Sequence, residues 1–324
     1  MHSCFILFIR FIFKISGFYF VFAIILNSSL SYAQNTQEKK SEINLEHQIR
    51  FRHDNDFLTF TDRYYSSGLF LSYGKMLKHG FFNSGYEQIK FSLIQEIYTP
   101  SNTKTKNIVE MDRPYGGFLG LNLGWSYSKQ YNNFETDLLL GIAGKASGAG
   151  DFHRWYHNAL EVPKSPTWVY EIDNSFHINL YFNYSHEWLL AKGDFGIYLG
   201  VQPQFAIGTK DIYAQPELIA HFGKRNTMHQ SSAYKKIGVK DRELFFSIRT
   251  GCRIIAHNAM LEGNILGDES PFLVNPKANL LYGGVDLHYS NGKNEYWFGI
   301  RFNSAETLET KSHKYIILSY ALNF

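Results

Sequence analysis

The chain has 324 residues and a formal net charge of +3, an excess too small to point to nucleic acid or any other strongly charged partner. Aromatic residues make up 17% of it, with 22 tyrosines and 28 phenylalanines. A water-soluble globule seldom carries so many, whereas a membrane barrel places them in girdles at its two interfaces.

Residues 1–33 read as an export signal. Arg10 and Lys14 supply positive charge, "ISGFYFVFAIIL" is a short apolar run, and "SLSYA" offers small residues at Ser31 and Ala33. Cleavage is therefore expected after Ala33, with a membrane anchor over Phe5–Leu26 as the competing reading. Cys4 lies too early to be a lipoprotein acceptor. Its removal leaves Cys252 as the mature chain's one cysteine, so an internal disulfide is excluded. The polar stretch 34–44 is expected to be a flexible lead-in to a single domain, 45–324.

That domain alternates with period two. "GFLGLNLGWSYS" sets Leu119, Leu121, Leu123, Trp125 and Tyr127 against Gly120, Asn122, Gly124 and Ser126. "FHINLYFNYSHEW" and "GDFGIYLGVQ" do the same, Phe195, Ile197, Leu199 and Val201 opposing Gly196, Tyr198, Gly200 and Gln202. In a transmembrane antiparallel β-barrel the apolar face meets lipid and the other lines the lumen, and closure leaves no unpaired edge. About twelve segments are predicted, beginning near Leu45, Tyr65, Glu87, Gly116, Phe134, Ser175, Gly193, Ile212, Glu243, Lys277, Asn294 and Lys314. The last, "KYIILSYALNF", ends on an aromatic residue, an address read by outer-membrane assembly machinery. With an even count and both ends in the periplasm, the links 55–64, 99–115 and 144–174 face outward. The link 224–242 falls after strand eight, on the side where short turns are expected, which puts the count or boundaries there in question.

Three polar clusters lie on the outer side. "RHDNDFLTFTDRYYSSG" bridges strands one and two. "YTPSNTKTKNIVEMDRPYGG" precedes strand four. "GAGDFHRWYHNALEVPKSPTW" follows strand five, with a short helix predicted over Trp155–Glu161, ended near Pro163. His153 and His157 would share one helix face. "HRWYH" lacks the glutamate of a zinc H-E-x-x-H motif and an evident third ligand. Taken singly, each cluster has an ordinary reading: an Asx turn at Asn55-Asp56, solvated loop charges at Lys104 and Lys106, a loop histidine at His157. Lys104, Lys106, Arg113, Arg154 and Lys164 have two readings, as cations that meet phosphate groups of an outer-leaflet lipid or as the ordinary surface charges that many outer-membrane barrels carry.

In order along the chain, "DND", "TDRYYSSGLFLSYG", "QEIYTP", "DRPYGG", "GIAG", "GDFHRWYH", "PTW" and "SIRTGCRIIAHNAMLEGN" resemble the lipid A 3'-O-deacylases of the Gram-negative outer membrane. The resemblance implies a twelve-stranded barrel and a calcium-dependent esterase that removes the 3'-linked acyloxyacyl chain of lipid A. Lipopolysaccharide would be its substrate, the outer membrane its location and a monomer its state. It implies site residues Asn55 and Asp56 in an Asn-Asp pair, Ser66 at a Ser/Thr position, His157 as loop histidine, and Lys104 or Lys106 as site lysine. His153 and Glu171 stand where the family usually has glutamines.

The residue types allow two mechanisms. In one, His157 activates a water, and Ca2+ held by Asp56, Asn55 and Ser66, with a lysine, stabilises the oxyanion. In the other, Ser66 or Ser67 is a nucleophile activated by His157 and oriented by Asp56 or Asp62, without a G-x-S-x-G elbow. A porin is the non-enzymatic alternative; twelve strands give a narrow lumen, and Phe70 and Tyr198 are predicted to intrude on it. An adhesin would need longer outer loops.

Overall fold

The computed structural model describes residues 45–56, 61–82, 84–159, 165–193, 195–238 and 241–324. The predicted signal (1–33) and lead-in (34–44) lie outside them. Residues 44–150 and 167–324 form one unit, the barrel, and 151–166 belong to another.

The barrel strands are β1 (His47–Asn55), β2 (Tyr64–Leu77), β3 (Tyr86–Thr99), β4 (Gly116–Lys129), β5 (Asn132–Ala143), β6 (Ser175–Ala191), β7 (Gly196–Val201) and β8 (Gln204–Gly208). They continue as β9 (Asp211–Gln215), β10 (Glu217–Lys224), β11 (Glu243–Asn258), β12 (Asn279–Ser290), β13 (Asn294–Asn303) and β14 (His313–Asn323). Two staves are broken by proline. β7 and β8 both pair with β6, and β9 and β10 both pair with β11. Pro203 and Pro216 fall at the breaks, because proline has no N–H for the ladder. Their carbonyls are still used, by Tyr184 N–H at 3.1 Å and Cys252 N–H at 3.3 Å. The result is the expected closed antiparallel barrel of twelve staves, sealed by β1 against β14 from Gln48↔Asn323 to Asn55↔Ile316. The terminal aromatic sits on that seam, where the Phe324 and His47 rings stack with centroids 5.6 Å apart.

Side-chain direction follows the predicted alternation. Leu121, Ile178, Leu71 and Leu281 are exposed on the outer face, while Asn122, His177, Asn179 and Asn323 are buried within. In water such an apolar band would be a large penalty; facing lipid it is the reason the barrel inserts. Charges meet one another inside. Arg50 pairs with Glu295, Arg52 with Asp54, Lys90 with Asp137, and Arg249 with Glu217 and Asp286. The Arg52 guanidinium also lies 4.6 Å from the centre of the Phe70 ring, and that of Arg225 4.0 Å from Tyr198.

The count through stave eight is correct, and the long link 225–242 has another explanation. Its described residues 225–238 fold back into the lumen from the end where β1 begins and β14 finishes. Lys236 Nζ donates to Ser126 Oγ (3.0 Å), Gln88 Nε2 to the Lys235 carbonyl (3.0 Å), and Tyr234 O–H to Glu187 (3.0 Å). The link is polar because its partners are the polar inner faces of β3, β4 and β6. Arg225 and Glu187, both buried, hold its start, Arg225 Nη2 donating to both carboxylate oxygens at 2.6 Å. Arg225→Met would strand the Glu187 carboxylate and is expected to destabilise the barrel by about 3–5 kcal/mol, measured as urea unfolding in detergent micelles.

Candidate active site

The first cluster is built where β1 ends and β2 begins. Asp56 N–H donates to the Ser66 carbonyl (3.2 Å), continuing the ladder one residue past Asn55, which pairs with Ser67. The chain re-enters at Thr61–Arg63, and β2 starts on Tyr64 at φ 61, a left-handed conformation that is uncommon for a tyrosine. A register shift between Tyr65 and Ser67 marks a bulge there. Bulges re-aim side chains, and this one lets Ser66 Oγ reach two carboxylates, donating to Asp62 Oδ1 at 2.7 Å and lying 3.4 Å from Asp56 Oδ1. Asp56 Oδ2 accepts from Thr61 Oγ1 (2.7 Å) and Arg63 N–H (2.9 Å).

Asp56 and Ser66 are almost fully buried. Burial pushes the Asp56 carboxyl up to about 8, and the nearby Asp62 charge adds to the rise against the pull of its hydrogen bonds. The two carboxylates and two hydroxyls make an all-oxygen donor set, which suits a hard cation such as Ca2+. A carboxyl pushed so far up is one that a cation would relieve.

The sign of the resulting pH dependence is fixed. An acid whose folded pKa lies above its unfolded value keeps a proton in the native state that the unfolded state has lost. Without cation, stability therefore falls as pH rises from near 3.8 to about 8. Added Ca2+ is expected to raise the urea midpoint more at the top of this window than near pH 5. An equal gain throughout would mean that the cation does not meet Asp56.

A second layer ties the neighbouring links together. Tyr64 O–H donates to Asp112 Oδ2 (3.0 Å) and accepts from Lys311 N–H (2.9 Å), joining D-R-Y-Y to D-R-P-Y. Asp112 Oδ1 accepts from Ser101 N–H (2.9 Å). Arg113, read from sequence as an outward cation, is completely buried; it pairs with Glu306 and donates to the Met260 carbonyl (2.9 Å). That corrects its role: it clamps the links before β4, after β11 and before β14, and is not free for a phosphate. Tyr115 stacks on Trp168 with centroids 4.9 Å apart and donates to the Thr103 carbonyl at 2.7 Å. Gly117 is glycine because a Cβ there would come 2.3 Å from Ser147 Oγ.

The helix α1 runs Ala149–Ala159, six residues earlier than predicted. Gly148, in the left-handed region at φ 71, ends a short turn over Lys145–Ser147, and Ser147 Oγ accepts from Ala149 N–H (3.3 Å), so the helix can start at once. The predicted stop near Pro163 and the Lys164 cation lie outside the described residues. Described by itself, α1 brings His153 and His157 edge to face with ring centroids 4.6 Å apart, as their spacing predicts, and both are buried. Trp155 is exposed on the helix, and Arg154 pairs with Asp151 at 2.6 Å.

Of the predicted site residues, the barrel brings Asp56 and Ser66 together, and Asn55 precedes Asp56 at the end of β1. Lys104 and Lys106 are exposed; among the described residues the side chain of neither makes a hydrogen bond or ion pair. Asp112 was read from sequence only as a polar residue of the second cluster, and Thr61 and Tyr64 were not singled out, although the D-R-Y-Y motif that contains Tyr64 was.

The family model for the outer membrane protein LpxR matches residues 18–324. The chain belongs to the LpxR family. Its barrel is similar to LpxR from Salmonella typhimurium, with a TM-score of 0.71 at 16% identity, covering 86% of this chain and 100% of that one. Weaker likenesses include the translocator domain of the autotransporter NalP from Neisseria meningitidis (TM-score 0.45, 7% identity, 93% and 96% covered). The β domain of the Bordetella autotransporter BrkA is another (0.43, 9%, 86% and 99%). No match was found among curated protein sequences. LpxR-family membership and the closed barrel place the protein in the bacterial outer membrane.

Proposed function

We propose that the protein is a lipid A deacylase, hydrolysing the ester that joins the acyloxyacyl chain to the 3' position of lipid A. Family membership over residues 18–324 is the observation that carries the substrate class. The links after β1, β3 and β5 then face the cell exterior, where lipid A forms the outer leaflet, and the start of β1 and the end of β14 lie on the periplasmic side.

The chemistry is the addition of water across one ester. His157 takes a proton from the water as its oxygen attacks the carbonyl carbon, and returns it to the departing sugar oxygen as the C–O bond breaks. The products are a free 3'-hydroxyl and the released acid. Asp56, Asn55 and Ser66, with Asp62 beside them, would hold Ca2+. Bound there, the ion supplies charge stabilisation for the developing oxyanion. A lysine of the 104–106 loop shares that charge. Supporting the water route, the Ser66 hydroxyl gives its one proton to Asp62 at 2.7 Å, a ligand-orienting contact. A serine route predicts a stable acyl-serine adduct after treatment with an activated-ester inhibitor, and that adduct on Ser66 would overturn the reading. A porin is disfavoured by a lumen crossed by ion pairs and entered by the link 225–242.

Purified protein incubated with lipid A should release the acid with Ca2+ present, stop on chelation and recover on Ca2+ addition. Turnover insensitive to chelation would remove the metal from this scheme.

A further inference from the structure

The link inside the lumen creates a feature that ester hydrolysis does not use. Beneath it lies a cavity of about 120 Å³ whose lining includes Gln48, Arg50, Arg52, Lys90, Asn122 and Lys235. Glu135 and Asp137 also face it, so four cations meet two carboxylates. Almost every charge there has a partner. Arg50 is held by Glu295, Arg52 by Asp54, Lys90 by Asp137 (3.1 Å), and Glu135 faces Lys236 at 3.8 Å. Lys235 is the exception: among the described residues its ammonium has neither hydrogen bond nor ion pair.

Its placement is built. Lys235 sits at φ 53, a left-handed conformation uncommon for any residue with a Cβ. The turn is held from both sides, by Lys235 N–H to the Ser232 carbonyl (3.1 Å) and by Gln88, which accepts from Ile237 N–H (3.2 Å) while donating to the Lys235 carbonyl (3.0 Å). This turn separates neighbouring lysines, Lys236 going to Ser126 and Lys235 to the cavity. An ammonium taken from bulk water beside other cations is costly unless an anion compensates it. The space is several times the roughly 10–15 Å³ that one water needs on the same measure, so a tetrahedral oxyanion fits. Serine, glutamine and asparagine side chains on the inner faces of β1–β4 add neutral donors.

We propose that the lumen is a binding site for a small inorganic oxyanion of the phosphate type, seated on Lys235 between Arg52 and Lys90. The anion would cross-brace the link 225–242 to β1 and β3 and so hold the inserted link in place. The site is separate from the Asp56 cluster and independent of the deacylase reading.

Calorimetric titration of the full barrel in non-ionic detergent with potassium phosphate, against potassium chloride at equal ionic strength, tests this. The expected result is saturable one-site binding in the millimolar range with phosphate only, lost in Lys235→Met and kept in Lys235→Arg. Glu135→Gln, which removes a competing negative charge, should bind several-fold more tightly. Folding of each variant is checked by heat-modifiable gel migration. No saturable phosphate binding by the natural chain, undiminished binding by Lys235→Met, or unchanged or weaker binding by Glu135→Gln would each overturn the proposal.

Discussion

His157→Ala is expected to lower lipid A deacylation by about 10²- to 10⁴-fold, the range that general acid–base catalysis contributes. Histidine is the residue type that gains and loses a proton near neutral pH, and His157 stands on α1 beside His153. The loss should fall on turnover with little change in the affinity for lipid, since an imidazole adds little to the binding of several acyl chains. His157→Gln keeps polarity and size but cannot cycle a proton, so it should be as inactive as the alanine variant. His153→Ala should cost less, because no proton transfer in the proposed scheme is assigned to it. Initial rates by mass spectrometry of released acid, with gel migration as a check on folding, provide the comparison. Full activity of His157→Ala would remove the base from the scheme.

Asp56→Asn should separate activity from stability. The amide keeps the size of the side chain and an oxygen for the Thr61 hydroxyl and Arg63 N–H, at present 2.7 and 2.9 Å from the carboxylate. It removes the charge that the proposed Ca2+ site needs, so deacylation should fall by at least about 10²-fold, as when a stabilising group is taken from a developing oxyanion. In chelator near pH 8 the same variant should be more stable than the natural chain, because it no longer carries a carboxyl that burial has pushed up to about 8. Activity down with stability up is the mark of a functional residue held at a structural cost. A variant both inactive and unstable would instead make Asp56 part of the scaffold.

The barrel was legible because a strand facing lipid on one side and a lumen on the other must alternate. The alternation located the twelve staves, including those with large deviations such as the inward-pointing Ile317 on β14. It did not reveal the breaks at Pro203 and Pro216, where the ladder is interrupted yet the stave continues. Nor did it explain the link 225–242, since a polar segment buried in a polar lumen has the same composition as one in water. The proximity of Asp56 and Ser66 was legible, because it follows from β1–β2 pairing. The bulge that aims Ser66 and the left-handed Tyr64 were not, because backbone shifts of one residue leave no mark in side-chain pattern. Arg113 was misassigned for a related reason: an arginine in a loop reads as exposed, and only the convergence of three links on it shows a buried clamp.

Mass spectrometry of lipid A from Gram-negative cells producing the natural chain or His157→Ala decides whether the protein is a 3'-O-deacylase. The natural chain should yield lipid A lighter by one 3'-linked acyloxyacyl group, with a free hydroxyl at that position, and the variant should leave lipid A intact. Unaltered lipid A in cells whose outer membrane contains the folded natural barrel, or loss of a chain from any other position, would contradict that activity.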